Sequence, residues 1–330
     1  MIIKKLQNFQ IFLITLLPGF FINILFLRIG YDAKRSYACR LPFTYDEALG
    51  WYLSNLNFNE IYISTYVNYI LLFLSQVCIY SIYNKKLKII PLIFIGLINC
   101  TYPLLNIHTN ILKQGFAISF STLTIYTFLN TKNKYLKIIN TILLSLLAYL
   151  SHASSLIFLL IFGISFLASY SINFKPLFIF KTDQIFSYKF KKLTLIPFLL
   201  FIFLLLLIYY KGYYIPDGSA SFVFLFLSLF LIYFYLFKEF HLKDSRIVIL
   251  YNFTLFFIIL IFGTLFFGFG QTVIERLSLY IIPNILVQII SFSRFSLNKK
   301  NIIYYLIILL LFFGVTYIRG FYGLEGFYKC

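Results

Sequence analysis

The sequence predicts an all-α fold, a polytopic transmembrane helix bundle of about 11 spans. Three observations carry that prediction. Hydrophobic residues make up 61% of the 330 positions and charged residues only 12%, too few polar groups to cover the outside of a soluble domain this long. The apolar residues gather mostly in runs of about 17–22, the length that ~30 Å of hydrocarbon asks of a spanning helix. Basic residues then alternate between dense and sparse from one connection to the next, as topogenic charge does.

In chain order the runs lie at 9–27, 61–83, 89–105, 111–129, 138–151, 154–172, 193–210, 222–237, 247–268, 277–292 and 302–318. No small-residue cleavage site follows the first, so it is expected to be retained as a span. The stretch 138–172 carries no charge. As one helix it would measure ~52 Å, and the lysine-rich segment 173–192 would then fall on the wrong side. Two short helices closing at Ser151-His152-Ala153-Ser154-Ser155 are expected instead, with the turn recessed beside protein or a wet cavity.

With the N-terminus cytoplasmic and the C-terminus extracytoplasmic, 19 of the 28 Lys and Arg residues fall inside, in keeping with the positive-inside rule. No Pro/Gly/Ser linker divides the spans. Residues 1–330 are therefore expected to form a single integral membrane domain with a long first extracytoplasmic loop at 28–60.

The same topology disposes of several function classes. The net charge of +18 reads as topogenic lysine, so no nucleic acid is expected as a partner. Cys39, Cys78, Cys100 and Cys330 form no metal-ligand spacing, and neither a metal nor another cofactor is expected. Cys39 and Cys330 share the outer side, which leaves a disulfide between them open. No P-loop, metal cage or Ser-His-Asp arrangement is evident.

Candidate chemistry lies on the outer face. Five of the seven Arg and seven of the ten acids fall there. The first outer loop mixes Asp32, Arg35 and Glu47 with aromatic residues, including the single Trp, Trp51. Arg suits bidentate phosphate contacts. On the fourth run Asn110, Lys113, Ala117, Ser121 and Thr124 recur at helical spacing, a small and polar stripe expected to face the bundle interior.

Lys113, followed by Gln114, would offer a cation to an anionic group near the outer end of that helix, or else snorkel to the interface. Ser145, Tyr149 and His152 are expected to share a helix face that carries His152 to the recessed turn, where its imidazole has the properties of a general base. His108 lies in a neighbouring outer connection. Glu275 and Arg276 stand at the mouth of the tenth run, with Tyr280 one turn further in, and an Arg at that depth needs a partner or a ligand.

Four segments carry a family resemblance: GYDAKRSY with the following EALGWYL, ILKQGFA, the SHASS turn, and IERLSLY. Together they resemble the EpsG/Wzy-type bacterial polysaccharide polymerases, from about residue 28 to 285. The chain departs from that family's usual pattern at Lys113, where Arg is commoner, and at Ala48, where Pro is. Lys keeps the charge but not the planar fork.

The resemblance implies a membrane glycosyltransferase in the bacterial cytoplasmic membrane, acting on undecaprenyl-diphosphate-linked oligosaccharide. Its other partners would be membrane lipid and a chain-length regulator or flippase. The residues are compatible with that chemistry: His152, Glu47 or Asp32 are the candidates for the base on the acceptor hydroxyl, and Lys113, Gln114, Arg276, Arg35, Tyr280 and His108 the candidates around the diphosphate.

Three rival readings stay open. A GT-C type transferase with a polyprenyl-monophosphate donor would use Asp46 and Glu47 as a first-loop acidic motif. A lipid-linked oligosaccharide flippase would need polar groups through the membrane depth, against which the inner halves of the runs look almost wholly apolar. An O-acyltransferase with one catalytic His would want a thioester donor reaching from the cytoplasm, against which His152 is expected on the outer side.

Overall fold

The computed structural model describes residues 47–54, 63–84, 86–101, 112–174, 244–266, 271–292 and 306–312, with isolated positions between them. Every regular element among these residues is helical, and no strand occurs among them. In chain order the helices are α1 (Ala48–Ser54), α2 (Ile63–Tyr83), α3 (Ile89–Asn99), α4 (Leu112–Asn130), α5 (Lys134–Ser151), α6 (Ser155–Ser171), α7 (Ser245–Phe266) and α8 (Gln271–Phe292). Three of them are long and apolar enough to cross a membrane: Ile63–Tyr83, Lys134–Ser151 and the Ser245–Thr264 stretch of α7. The expected runs at 9–27, 193–210, 222–237 and 302–318 lie wholly or mostly outside the described residues.

The uncharged stretch 138–172 is two helices, as its length requires. α5 begins at Asn133, whose side-chain oxygen accepts from the backbone N–H groups of Tyr135 and Leu136, satisfying donors that a helix start leaves orphaned. It ends at Ser151, and α6 starts four residues later at Ser155. One expectation fails here. His152 does not continue the α5 face of Ser145 and Tyr149; it is the C-cap, with φ −164° and ψ 126°. A bond from its N–H to the Ala148 carbonyl closes the helix. The extended backbone turns the imidazole away from the helical register.

The chain divides into two compact units, Met1–Ser155 with Arg294–Cys330, and Leu156–Ser293. In the first, α4 packs on α2 and α5. Tyr69, Leu72, Phe73, Phe116 and Ile125 are fully buried there. Ala117, Ser121 and Thr124 are buried as well, so the described part of the small and polar stripe does face inward. α5 shows the opposite pattern: Tyr135, Ile139, Ile142 and Leu146 are all more than half exposed. An apolar face of that kind is at home against hydrocarbon and costly in water.

The second unit is centred on α7 and α8. Phe158 sits against Phe253, Phe257 and Tyr280, with ring centroids 4.9–5.6 Å apart. Polar pairs are nonetheless buried between these apolar helices. The Tyr233 hydroxyl donates to Gln288 Oε1 and Gln288 Nε2 to Thr254 Oγ1, both at 2.8 Å. Asn252 reaches Ser169 at 2.9 Å. In the first unit Asn99 donates to Gln76 at 2.6 Å. Short amide and hydroxyl side chains vanish in a hydropathy average but join helices where lipid offers no partner.

Candidate functional site

Three residues selected from separate segments of the sequence meet in the first unit. Glu47 immediately precedes α1, Lys113 is the second residue of α4, and His152 caps α5. Lys113 Nζ donates to Glu47 Oε2 at 2.6 Å. On the other carboxylate oxygen, His152 Nε2 stands 3.5 Å from Oε1, and the Ala153 backbone N–H donates to the same atom at 3.4 Å. The three side chains are 17–23% exposed, deep enough to strengthen their attraction yet still reachable from solvent.

Two glycines make the meeting sterically feasible. A Cβ on Gly50 would overlap the Ser151 carbonyl, so only glycine lets α1 lie against the last turn of α5 and carry Glu47 to the His152 turn. A Cβ on Gly115 would overlap the Asn68 amide and the Ile107 carbonyl. There the missing side chain makes room for Asn68 Nδ2, which donates to Ile107 O at 2.9 Å and reaches Leu112 O at 3.5 Å. Asn68 thus ties the start of α4, and with it Lys113, to α2.

The electrostatics follow from these contacts. Burial pushes the Glu47 carboxyl up, but the Lys113 hydrogen bond, the charges of His152 and Lys113 and the Ala153 N–H together hold it below the ordinary value of 4.5. Glu47 is therefore a carboxylate at neutral pH. The Lys113 ammonium has three donors and spends one on Glu47. Locally the Glu47–Lys113 pair is neutral, which weakens Lys113 as a diphosphate ligand on its own and makes it first a partner of Glu47.

His152 is held from its other side too. Its Nδ1 accepts from the Ser154 backbone N–H at 3.2 Å and lies 2.6 Å from Ser154 Oγ. Ser154 hydrogen-bonds to His152, and His152 in turn faces Glu47, a line that the sequence did not suggest. The signal was present in part, since Gly50, Gly115 and Ser154 all sit inside the segments EALGWYL, ILKQGFA and SHASS.

Gln114 is buried on α4. Arg276 is exposed on α8, and Tyr280 is buried on the same helix against Phe158; both belong to the second unit. Asp32, Arg35 and His108 lie outside the described residues, as do Cys39 and Cys330. Among the described residues no group of His, Cys, Asp and Glu is arranged to hold a metal ion.

Chemically, the cluster offers an ionised carboxylate steadied by a cation and an imidazole. Such a group can take a proton from a hydroxyl or stabilise a developing positive charge. No protein-family model matches the chain, and no curated protein or solved structure matches it either.

Proposed function

We propose that this chain is a membrane-integral glycosyltransferase of the EpsG/Wzy polymerase type. It would span the bacterial cytoplasmic membrane about 11 times, N-terminus inside and C-terminus outside. On the outer face it would transfer a growing chain from undecaprenyl diphosphate to an incoming lipid-linked repeat unit. The observation that carries the reading is the convergence of Glu47, Lys113 and His152. Residues from three of the resembling segments form one cluster, and it contains the carboxylate and imidazole that hydroxyl activation calls for.

In this reading the acceptor hydroxyl loses its proton as its oxygen attacks the anomeric carbon, and the bond from that carbon to the lipid diphosphate breaks. The diphosphate leaves with the electron pair and needs cations. Arg276 and the loop residue Arg35 are the proposed sources, each tested on its own. The test of the function is a deletion strain whose surface polysaccharide and lipid-linked intermediates are run on a gel. Loss of long chains with accumulation of single complete units supports polymerisation. Units confined to the cytoplasmic face indicate a flippase.

One observation favours a second reading. A first-loop acidic motif is the mark of GT-C type transferases, and Lys113 and His152 serve Glu47 here instead of standing apart from it. A deletion strain whose repeat unit is one sugar short would decide for that transferase.

A further inference from the structure

We infer that the turn after α5 locks neutral His152 into the tautomer protonated on Nε2, which makes His152 a donor toward Glu47 and leaves Glu47, not His152, as the base. The assignment of a base rests on the glycosyl-transfer reading; the tautomer does not.

A neutral imidazole has one N–H and one lone pair, on different nitrogens. A backbone N–H can only donate. The Ser154 N–H points at His152 Nδ1 from 3.2 Å, so the Nδ1 lone pair is engaged and the ring proton sits on Nε2. The Ser154 hydroxyl, 2.6 Å from the same nitrogen, can donate there too. Nε2 is the atom that faces Glu47 Oε1 at 3.5 Å. A proton on Nε2 makes that approach attractive, whereas a lone pair there would set two acceptors against each other.

The consequence for chemistry is specific. Neutral His152 has no basic lone pair on its Glu47 side, and its only lone pair is turned into its own chain at Ser154. Among the described residues, the charged and titratable groups facing Glu47 are Lys113 from α4 and His152 from the turn, joined by the Ala153 N–H. All three donate to the carboxylate, and each carboxylate oxygen can accept more than one hydrogen bond. In the transfer step the acceptor O–H proton passes to Glu47 while the new C–O bond forms and the C–O bond to the diphosphate breaks. Ser154 and His152 are positioning residues in this scheme.

The first test is independent of activity. In the full-length protein labelled with ¹⁵N-histidine in detergent, the resonance lost on His152→Gln identifies His152. At neutral imidazole charge it should show a pyridine-type Nδ1 and a pyrrole-type Nε2; the reverse assignment overturns the inference. The second test uses polymer length in the complemented deletion strain. Gln places an N–H where imidazole Nε2 stands, and Asn does not. His152→Gln is therefore expected to stay within ~10-fold of the parent, while His152→Asn falls much further and Glu47→Gln loses ~100-fold or more.

Equal inactivity of the Gln and Asn variants would make His152 the base and overturn the assignment. Ser154→Ala keeps the backbone N–H and should keep the tautomer; a reversed tautomer in that variant overturns the inference. Abolished polymer in Ser154→Ala with an unchanged tautomer would make Ser154 a nucleophile and likewise overturn it. An Nε2–H tautomer in a strain whose polymer never depended on this chain would leave the geometry intact and remove the transferase reading.

Discussion

Lys113 Nζ and Glu47 Oε2 lie 2.6 Å apart although 66 positions separate the residues in the chain. The contact joins the end of the first outer loop to the start of α4. Both side chains are largely buried, so the attraction of each offsets part of the other's desolvation cost, and removing one leaves a buried charge uncompensated. Replacing one alone should cost about 1–3 kcal/mol of stability. The reversed pair, Glu47→Lys with Lys113→Glu, should recover part of that loss. It should not recover polymer, because the carboxylate then stands on the wrong helix. Thermal unfolding in detergent and polymer length, measured on the same four proteins, check both halves.

Gly50 gives a steric prediction. Ala at this position adds one methyl group against the Ser151 carbonyl, and backbone cannot move aside as a flexible side chain would. Overpacking of this kind costs about 1–3 kcal/mol. α1 should shift away from α5, separating Glu47 from His152 and reducing polymer more than the stability loss alone accounts for. An Ala variant with parental polymer length would show that α1 does not position Glu47.

The pH dependence of stability follows from Glu47. Its carboxyl is held below the ordinary 4.5, so its stabilising contribution is present above that value and is lost as pH falls through the lowered one. The gap in melting temperature between the parent and Glu47→Gln should be full at pH 7 and close on acidification below 4.5. A gap that persists in acid would mean that Glu47 acts through packing and not through charge.

Arg276 is exposed on α8, and its proposed partner is a diphosphate. Arg276→Ala should abolish long chains at normal protein level, and Arg276→Lys should restore only part of them, because Lys lacks the bidentate fork. Unchanged polymer in Arg276→Ala would end the diphosphate role.

Most of the described helices and the break between α5 and α6 were legible because hydrophobic run length and charge are local properties; α1, inside the segment read as an outer loop, was not. The split at Ser151–Ser155 follows from the reach of 35 uncharged residues, and the polar stripe of α4 from 3.6-residue periodicity. Glu47, Lys113 and His152 could each be selected from charge and position. Their pairing could not, since the contacts of Glu47 with Lys113 and with the Ala153 N–H beside His152 span 66 and 106 positions and depend on how helices pack.

The orientation of His152 was misjudged for a related reason. Helical spacing holds only while the helix lasts, and it stops one residue short. The small residues were the weakest signal. Gly50, Gly115 and Ser154 act through close approach and a turn geometry that hydropathy does not register, and the buried Gln288 and Asn252 were lost in apolar averages.

The most direct measurement is the surface-polysaccharide ladder of a deletion strain carrying Glu47→Gln at the parental protein level. The exchange removes one negative charge and changes almost no volume. If Glu47 is the base of an outer-face glycosyl transfer, long chains disappear and single lipid-linked repeat units accumulate. A parental ladder in that strain would contradict the claim that the Glu47–Lys113–His152 cluster is the active site.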